Sequence, residues 1–372
     1  MNRHAPTPAR GRGTKSARPD LTVIMATKGR ARFVGEAIDS VRRQTLRNWR
    51  MLIVYGPSDD GALEILRTHA LADSRIELMP ERASGFVHAI NQGVAQVSTP
   101  FVTFQESDDV SHPERFANLL AGARAHPRAD IIEAYFCAFD SAQRRLIALP
   151  SPGGMPTACF RSAAFKQFGR LRPFFTSMPD LDMHYRWEDS GAQIAQLPSL
   201  LYFKRQHADP RDHLERRGQL SLEWLALCLS RWCERHARDK AEQLARNFTR
   251  ARIVQTFRSL PKAQQHTLLH DMFRYAKKRF TISRLRGYED CQLSDIFEDM
   301  RDTLTLLGVS EWQTRLMLLR LRIASRASLQ MRKLRTALRR RRNPALNLPQ
   351  QPIDAWMAQS PITMHQSAIT IR

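Results

Sequence analysis

This 372-residue sequence has few cysteines and lacks long apolar runs and glycine-rich phosphate loops. Cys137, Cys159, Cys228, Cys233 and Cys291 are odd in number and form no CxxC pair. That spacing excludes a metal knuckle and leaves buried or free thiols in a reducing cytoplasm as the expectation. No apolar run reaches the roughly 18–20 residues that span a bilayer. The N-terminus is rich in Arg and Pro and has no apolar stretch of the secretory kind, so it reads as disordered. Neither GxxxxGK[ST] nor a GxGxxG after the first strand-like run is present. A nucleotide here must therefore be held by side chains and a metal, not by a glycine cradle.

Acid is missing from two segments. Lys and Arg number 58 against 36 Asp and Glu, a net charge of +22. Residues 1–19 carry Arg3, Arg10, Arg12, Lys15 and Arg18, residues 313–342 carry eleven basic residues, and neither stretch contains an acid. Such segments point to polyanions, either nucleic acid or an anionic membrane face, with a solvated surface as the bland reading.

What is present alternates. Leu21–Met25, Met51–Val54, Arg75–Met79 and Phe101–Phe104 read as strands, interleaved with helical spacing over residues 32–44, 62–70 and 85–96. That order predicts an α/β fold with a mainly parallel sheet and right-handed crossovers. Asp130–Ala138, Arg145–Leu149 and the run "SLLYFKR" add further strands. Beyond residue 213 the spacing is helical throughout, with Leu222, Leu225, Leu229 and Trp232 on one face. Leu244, Phe248 and Ala251 form a second face, and Leu269, Met272 and Ala276 a third. Residues 343–372, dominated by Pro, Gln and Ser, read as a disordered tail.

Ligands of open parallel sheets bind at the carboxyl ends of the strands. Glu106, Asp108 and Asp109 fall there, directly after the fourth strand. Three acids in four residues repel one another unless a cation intervenes, and hard carboxylate oxygens suit Mg²⁺ or Mn²⁺, which would hold a diphosphate. The alternative is an Asp-rich turn in which Ser107 or Asp109 caps a helix starting near His112-Pro113-Glu114.

Five blocks carry a resemblance. "DLTVIMATKGRARFVGEAIDSVRRQT", "IVYGPSDDGALEIL" and "GFVHAINQGVAQVSTPFVTFQESDD" are similar to the nucleotide-binding half of family 2 glycosyltransferases of the GT-A fold. "TACFRSAAFKQFG" and "PDLDMHYRWEDSGAQIAQLPSLLYFKRQH" resemble the acceptor half. The likeness covers roughly residues 20–210 and implies a GT-A domain over 20–212, with a donor half at 20–110 and an acceptor half at 111–212; residues 213–342 are read as a helical region. It implies inverting transfer of a sugar from a nucleotide-sugar donor to the hydroxyl of a glycan or lipid-linked acceptor, in bacterial polysaccharide or lipopolysaccharide synthesis.

By the same resemblance, Asp108, Asp109 and Glu106 hold an Mg²⁺ or Mn²⁺ ion, with His207 reaching the metal or the diphosphate; the bland reading of His207 is a surface histidine. Thr27, Lys28 and Arg30 match the segment that touches the nucleobase, and Asn91 and His88 fit the helix beside the donor. Asp108 also contacts the donor diphosphate. Tyr55 and Gly56 stand where relatives place acidic residues, one of which contacts the nucleoside; both charges are absent here. Asp180 matches the catalytic base, with an N-cap as its bland reading and Glu188-Asp189 as a rival pair; Asp182 reads as a helix cap. Lys204 and Arg205 are placed to neutralise the leaving phosphate.

Within 313–342, Leu316, Leu319, Ile323, Ala327, Met331, Leu334 and Leu338 recur at steps of three and four between arginines. The pattern predicts an amphipathic helix lying on an anionic membrane; coiled-coil pairing and packing on the protein's own helices compete with that. A cytoplasmic enzyme, peripheral on the inner membrane, is the expectation, and nucleic acid is not its expected partner. The alternative is a catalytically degenerate, transferase-like module whose basic segments bind membrane or nucleic acid.

Overall fold

The computed structural model describes residues 19–147, 150–206, 220–285, 293–342 and 352–361. The basic N-terminal tail, His207, Cys291 and most of the C-terminal tail lie outside these residues. Four parallel strands open the chain: β1 (Leu21–Lys28), β2 (Trp49–Gly56), β3 (Ile76–Pro80) and β4 (Phe101–Phe104). Each apolar run is longer than its β-branched centre because the flanking residues pair too: Leu21 registers with Trp49 and Phe101, and Lys28 with Gly56. The helices between them are α1 (Ala31–Arg42), α2 (Ala62–Ala72) and α3 (Phe86–Ala95).

The chain continues through β5 (Val110–Ser111), α4 (Arg115–Ala125), β6 (Ile131–Asp140), β7 (Ser151–Pro152), β8 (Ala158–Arg161), α5 (Ser162–Gln167), α6 (Pro179–Asp189) and β9 (Ile194–Gln206). These complete a nine-stranded sheet of order β3-β2-β1-β4-β8-β6-β9-β5, with β7 paired to β6. β8 is antiparallel to both β4 and β6, so beyond β4 the sheet is mixed, although β6 and β9 pair in parallel.

Helices cover both faces. α1, α2 and α4 bury Val34, Ile38, Leu66, Phe116 and Leu120 against Val23, Met51 and Ile53. On the other face α3, α5 and α6 bury Val87, Ile90, Phe165, Met183 and Trp187 against Ile24, Val54 and Phe104. Gly93 of "AINQG" is what lets α3 close on β1, since a Cβ there would lie 2.7 Å from Ile24 Cγ2.

After β9 come α7 (Leu220–His236), α8 (Arg238–Arg246), α9 (Arg250–Arg258), α10 (Lys262–Leu285), α11 (Leu293–Leu307) and α12 (Glu311–Arg342). Their core holds Leu222, Leu225, Leu229, Leu244, Met272 and Ala276, and it also takes in Phe175 and Met178 from the segment leading into α6. The helical region thus shares a core with the segment leading into α6.

Four expectations are corrected. The face Leu244, Phe248, Ala251 does not belong to one helix: Thr249 caps α9 by accepting from the Arg252 amide, so Ala251 is exposed and Ile253 and Phe257 are the buried residues. Of Arg145–Leu149, Arg145 and Leu146 form only isolated bridges, and 148–149 lie outside the described residues. The acidic turn caps no helix, since α4 starts after Glu114 without a side-chain cap.

The fourth correction concerns the tail. Residues 352–361 are ordered, and α13 (Ile353–Met357) buries Ile353 and Trp356 against Val110, Phe139 and Phe203. Their i, i+3 spacing is an anchor that average composition hides. Asp354 pairs with Arg144 at 2.7 Å, and Gln359 offers its carbonyl to His112 Nε2 at 2.9 Å.

Candidate functional site

The carboxyl ends of β1, β2 and β4 meet at one edge of the sheet. β1 ends in Gly29 and Arg30, both left-handed (φ 78° and 74°). Glycine tolerates that region at no cost, whereas arginine adopts it under strain. The reversal swings the Arg30 guanidinium to 3.9 Å from Asp108 Oδ2. Thr27 Oγ1 donates locally to the Gly29 carbonyl at 3.1 Å, and Lys28 stays exposed.

Asp60 ties this turn to the one after β2. Its carboxylate accepts from the Ala31 amide at 3.0 Å and the Ala62 amide at 3.2 Å, the first residues of α1 and α2. The turn "VYGPSDDG" is therefore a built connection. A carboxylate reaches this turn from the neighbouring strand. Glu81, directly after β3, donates its amide to the Tyr55 carbonyl at 2.9 Å. Its carboxylate covers Gly56 so closely that a Cβ there would sit 2.7 Å from Oε1. Sequence reasoning missed Glu81; the available signal was a glycine at the strand end with a glutamate one residue past the adjacent parallel strand.

After β4 the acidic turn is held by buried polar groups. Arg115, fully buried, donates to Ser111 Oγ at 2.8 Å, to Thr103 Oγ1 at 2.7 Å, to the Phe104 carbonyl at 2.8 Å and to the Pro156 carbonyl. Desolvation lowers its pKa to about 10. Gln105 Nε2 donates to the carbonyls of Glu106 and Asp109, both at 3.0 Å, and the Glu106 amide donates to the Tyr202 hydroxyl at 3.1 Å.

Asp109 is buried beside Asp108. Its Oδ1 accepts from the Arg205 amide at 2.8 Å, while its Oδ2 is buried with no hydrogen-bond partner. Burial, then the charge of Asp108, push this carboxyl well above the ordinary range; Lys204 opposes the shift and Glu106 adds to it. An orphaned carboxylate oxygen among like charges is a site that a hard divalent cation would satisfy. Among the described residues no three His, Cys, Asp or Glu side chains already converge as metal ligands. The donor set nonetheless fits Mg²⁺ or Mn²⁺, which take one or two protein carboxylates and complete their shell with water and phosphate oxygens.

Arg205 is not the phosphate contact its position suggests. Its side chain is 3% exposed, donates to the Asp108 carbonyl at 2.6 Å and pairs with Glu36, which also binds Arg144 at 2.9 Å. Burial alone would raise the Glu36 carboxyl, but Arg144 and Arg205 together hold it below its ordinary value. Arg205 thus fixes the backbone of the acidic turn, and the exposed Lys204 supplies the nearby surface charge.

On α6, which packs beside α3 and α5, Asp180 lies in the first turn and is partly exposed, its Oδ1 accepting from the Leu181 amide at 2.9 Å. It is not the N-cap, a place held by Met178. Asp182 is no cap either. It is fully buried, taking Arg172 Nε at 3.0 Å and lying 3.7 Å from Arg186. The rival acids Glu188 and Asp189 are bound to Arg231 at 3.7 and 2.6 Å. One turn beyond Asp180, His184 Nδ1 lies 3.3 Å from Glu133 Oε1, and that hydrogen bond raises the imidazole pKa. The Glu133–His184 pair was not anticipated; the histidine four residues after Asp180 was its only trace in the sequence.

Two further residues expected beside the donor, His88 and Asn91, lie on α3. Asn91 is spent on the backbone of Leu171, donating to its carbonyl at 2.8 Å and accepting from its amide at 3.2 Å. It locks α3 to the acceptor half. His88 lines a surface hollow of about 250 Å³ with Arg82, Asn91, Gln92 and Arg170. That hollow includes none of Thr27, Lys28, Arg30, Tyr55, Gly56 and Asp108. His207 lies outside the described residues.

Comparison with known proteins agrees with this architecture. The family model described as Glycosyl transferase family 2 matches residues 22–186. The chain is 26% identical over 207 residues to the putative glycosyltransferase EpsE of Bacillus subtilis, covering 51% of this chain and 74% of that protein. It is 31% identical over 91 residues to WfgD of Escherichia coli, a UDP-Glc:alpha-D-GlcNAc-diphosphoundecaprenol beta-1,3-glucosyltransferase, covering 24% of this chain and 35% of that one. Residues 1–349 of S. aureus TarS, solved in complex with UDP-GlcNAc, share the fold, with a TM-score of 0.51 and 14% identity over 83% of this chain and 89% of that one. The chain therefore carries a family 2 glycosyltransferase domain of the GT-A fold over residues 22–186, and is a glycosyltransferase.

Proposed function

We propose that the protein is an inverting, metal-dependent glycosyltransferase that moves a sugar from a nucleotide-sugar to an acceptor hydroxyl in bacterial surface glycan synthesis. The observation that carries this reading is the buried, partnerless Oδ2 of Asp109 beside Asp108, whose own Oδ2 lies 3.9 Å from Arg30. Asp108 and Asp109 would hold an Mg²⁺ or Mn²⁺ ion, which when bound offsets the charge of the donor diphosphate and of the leaving group. Arg30 adds a cation to the same place.

Asp180 accepts the proton of the acceptor hydroxyl as that oxygen attacks the anomeric carbon. The bond from that carbon to the diphosphate breaks as the new one forms, and the nucleoside diphosphate leaves. Attack opposite the leaving group inverts the anomeric centre. The lipid-linked acceptor in the WfgD name supports a similar acceptor here. A thermal-shift screen of nucleotide-sugars with Mn²⁺ tests the reading: a true donor raises the midpoint by mass action. Absence of both donor and metal binding would leave the degenerate module.

Tyr55 and Glu81 form the proposed nucleoside contact. Glu81→Ala is expected to weaken binding of UDP or GDP with Mn²⁺ about tenfold, the scale of one charged hydrogen bond. Gly56→Ala, which displaces the carboxylate, should do the same, and the double variant no more. Additive losses in titration calorimetry would refute a shared cause.

The membrane is the proposed working surface. On α12, Thr314, Leu318, Leu321 and Ser325 face the core, whereas Trp312, Leu316, Leu319, Ile323 and Met331 are 66, 38, 55, 63 and 50% exposed. For those of its residues that are described, the predicted apolar seam thus does not pack on the protein's own helices; the side chains of Ala327, Leu334 and Leu338 lie outside the described residues. Arg320 and Arg322 flank the exposed ridge. Among the described residues no helix is long and apolar enough to cross a membrane. An apolar ridge among arginines suits the interface of anionic lipid, each charge adding about 1 kcal/mol.

Deleting residues 313–342 would also remove core residues, so the ridge itself is the better target. Leu319→Glu with Ile323→Glu and Arg320→Glu is expected to abolish co-sedimentation with phosphatidylglycerol vesicles. Unchanged sedimentation would refute the surface. Salt-sensitive binding to duplex DNA that survives these changes would revive the nucleic-acid reading.

A further inference from the structure

α6 carries Asp180 yet has no N-terminal side-chain cap of its own, and Pro179 opens it. The three amides just before it point at a carboxylate that belongs to the helical region. Glu223, fully buried in α7, accepts from the Thr176 amide and hydroxyl, both at 2.9 Å, and from the Ser177 amide at 3.2 and 3.1 Å. It also accepts from the Met178 amide at 3.1 Å. A negative group here satisfies amides that burial would leave orphaned, and it complements the positive end of the α6 dipole.

Eight residues along α7, Arg231 grips the other end of the same helix. It donates to Asp189 Oδ2 at 2.6 Å and Oδ1 at 2.8 Å, and lies 4.2 Å over the Tyr185 ring. α7 is itself fixed from behind. Asp299 of α11 accepts from the Ser221 amide at 3.0 Å and hydroxyl at 2.8 Å, and Trp224 stacks on Tyr275 of α10 at 4.0 Å.

We propose that Glu223 is a positioning residue for the transfer reaction: through Glu223 and Arg231 the helical region clamps α6 at both ends and thereby sets where Asp180 stands. This rests on the reading of Asp180 as the base, and it gives the helices after residue 220 a part in the chemistry. A base must lie within hydrogen-bond reach of the hydroxyl it deprotonates, and a displacement of about 1 Å can cost on the order of 100-fold in rate. Donor binding belongs to β1, β2 and β4, which α7 does not hold, so loss of the clamp should separate turnover from donor affinity.

The test compares Glu223→Ala, Glu223→Gln and Arg231→Ala in the full chain by hydrogen–deuterium exchange and kinetics. The kinetic probes are UDP-glucose, UDP-N-acetylglucosamine and GDP-mannose with Mn²⁺. Glu223→Ala is expected to speed exchange of residues 176–186 at least tenfold while residues 21–28 and 49–56 keep wild-type protection. kcat should fall at least tenfold with KM for the nucleotide-sugar within about twofold. Glu223→Gln should lie between, because Oε1 still accepts while the amide group opposes Ser177 and Met178.

Wild-type exchange in 176–186 overturns the proposal. So does equal loss of protection in β1 and β2, which marks general unfolding. Asp180→Asn separates the two readings. If it turns over like wild type, the base assignment falls, and the exchange result alone decides the clamp, whether or not the true donor is among the probes.

Discussion

Asp108→Ala and Asp109→Ala are each expected to remove metal-dependent turnover of a nucleotide-sugar by a factor on the order of 10²–10³, the usual cost of losing one preorganised charge-stabilising group. The two should differ in stability. Asp108 is partly exposed and near Arg30, so its loss is tolerated. Asp109→Ala strands the buried Arg205 amide that now donates to it. Asp109→Asn separates the effects, since its oxygen can still accept from that amide.

The pH dependence has a definite sign. Asp109 is shifted up by burial and by Asp108, so the folded state holds its proton more tightly than the unfolded chain does. Its contribution is intact below the unfolded Asp value, about 4, and is lost as pH rises through the higher folded value. A cation binds only the ionised form, so the Mn²⁺-induced rise in thermal midpoint should grow with pH. Measured between pH 5 and 8, wild type should show an increasing Mn²⁺ shift, and Asp109→Asn none. Equal shifts in both proteins would remove Asp109 from the metal site.

The first half of this fold is legible because each strand is a β-branched run bounded by residues with special backbone needs. "TVIM" runs into Lys28-Gly29-Arg30, and "MLIV" into a turn whose Asp60 caps two helices. The acidic turn could be placed because it follows the short β-branched and aromatic run Phe101–Phe104. Contacts that depend on distant parts of the chain could not. Nothing local says that Glu81 will lie over Gly56, that Glu133 will meet His184, or that Glu223 will serve amides 45 residues earlier.

Composition misled where a few residues outweighed many. Ile353 and Trp356 anchor a segment that Pro and Gln make look disordered. A single capping threonine divides what periodicity joins at Leu244–Ala251. Asn91 and Arg205 show the converse limit. The sequence reading expects both near the donor, yet their side chains hydrogen-bond within the protein itself.

Asp180→Asn is expected to lower kcat by about 10²–10⁴, the range for a general base, with donor KM and thermal midpoint near wild type. Asparagine keeps the volume of aspartate and can still accept from the Leu181 amide, so α6 should be undisturbed. Asp182→Asn, two residues on, predicts the reverse pattern. Asp182 is fully buried against Arg172 and Arg186, and neutralising it leaves buried guanidinium charge uncompensated, which costs about 3 kcal/mol or more. Its thermal midpoint should drop sharply, and whatever protein remains folded should turn over normally. Asp189→Asn, facing Arg231, should change stability slightly and turnover only through the clamp on α6. If Asp182→Asn or Asp189→Asn lost turnover at full stability while Asp180→Asn kept it, the base would have to be reassigned within α6. Among the described residues, Asp180 is the one acid of α6 that is partly exposed, in the first turn, and paired with no arginine.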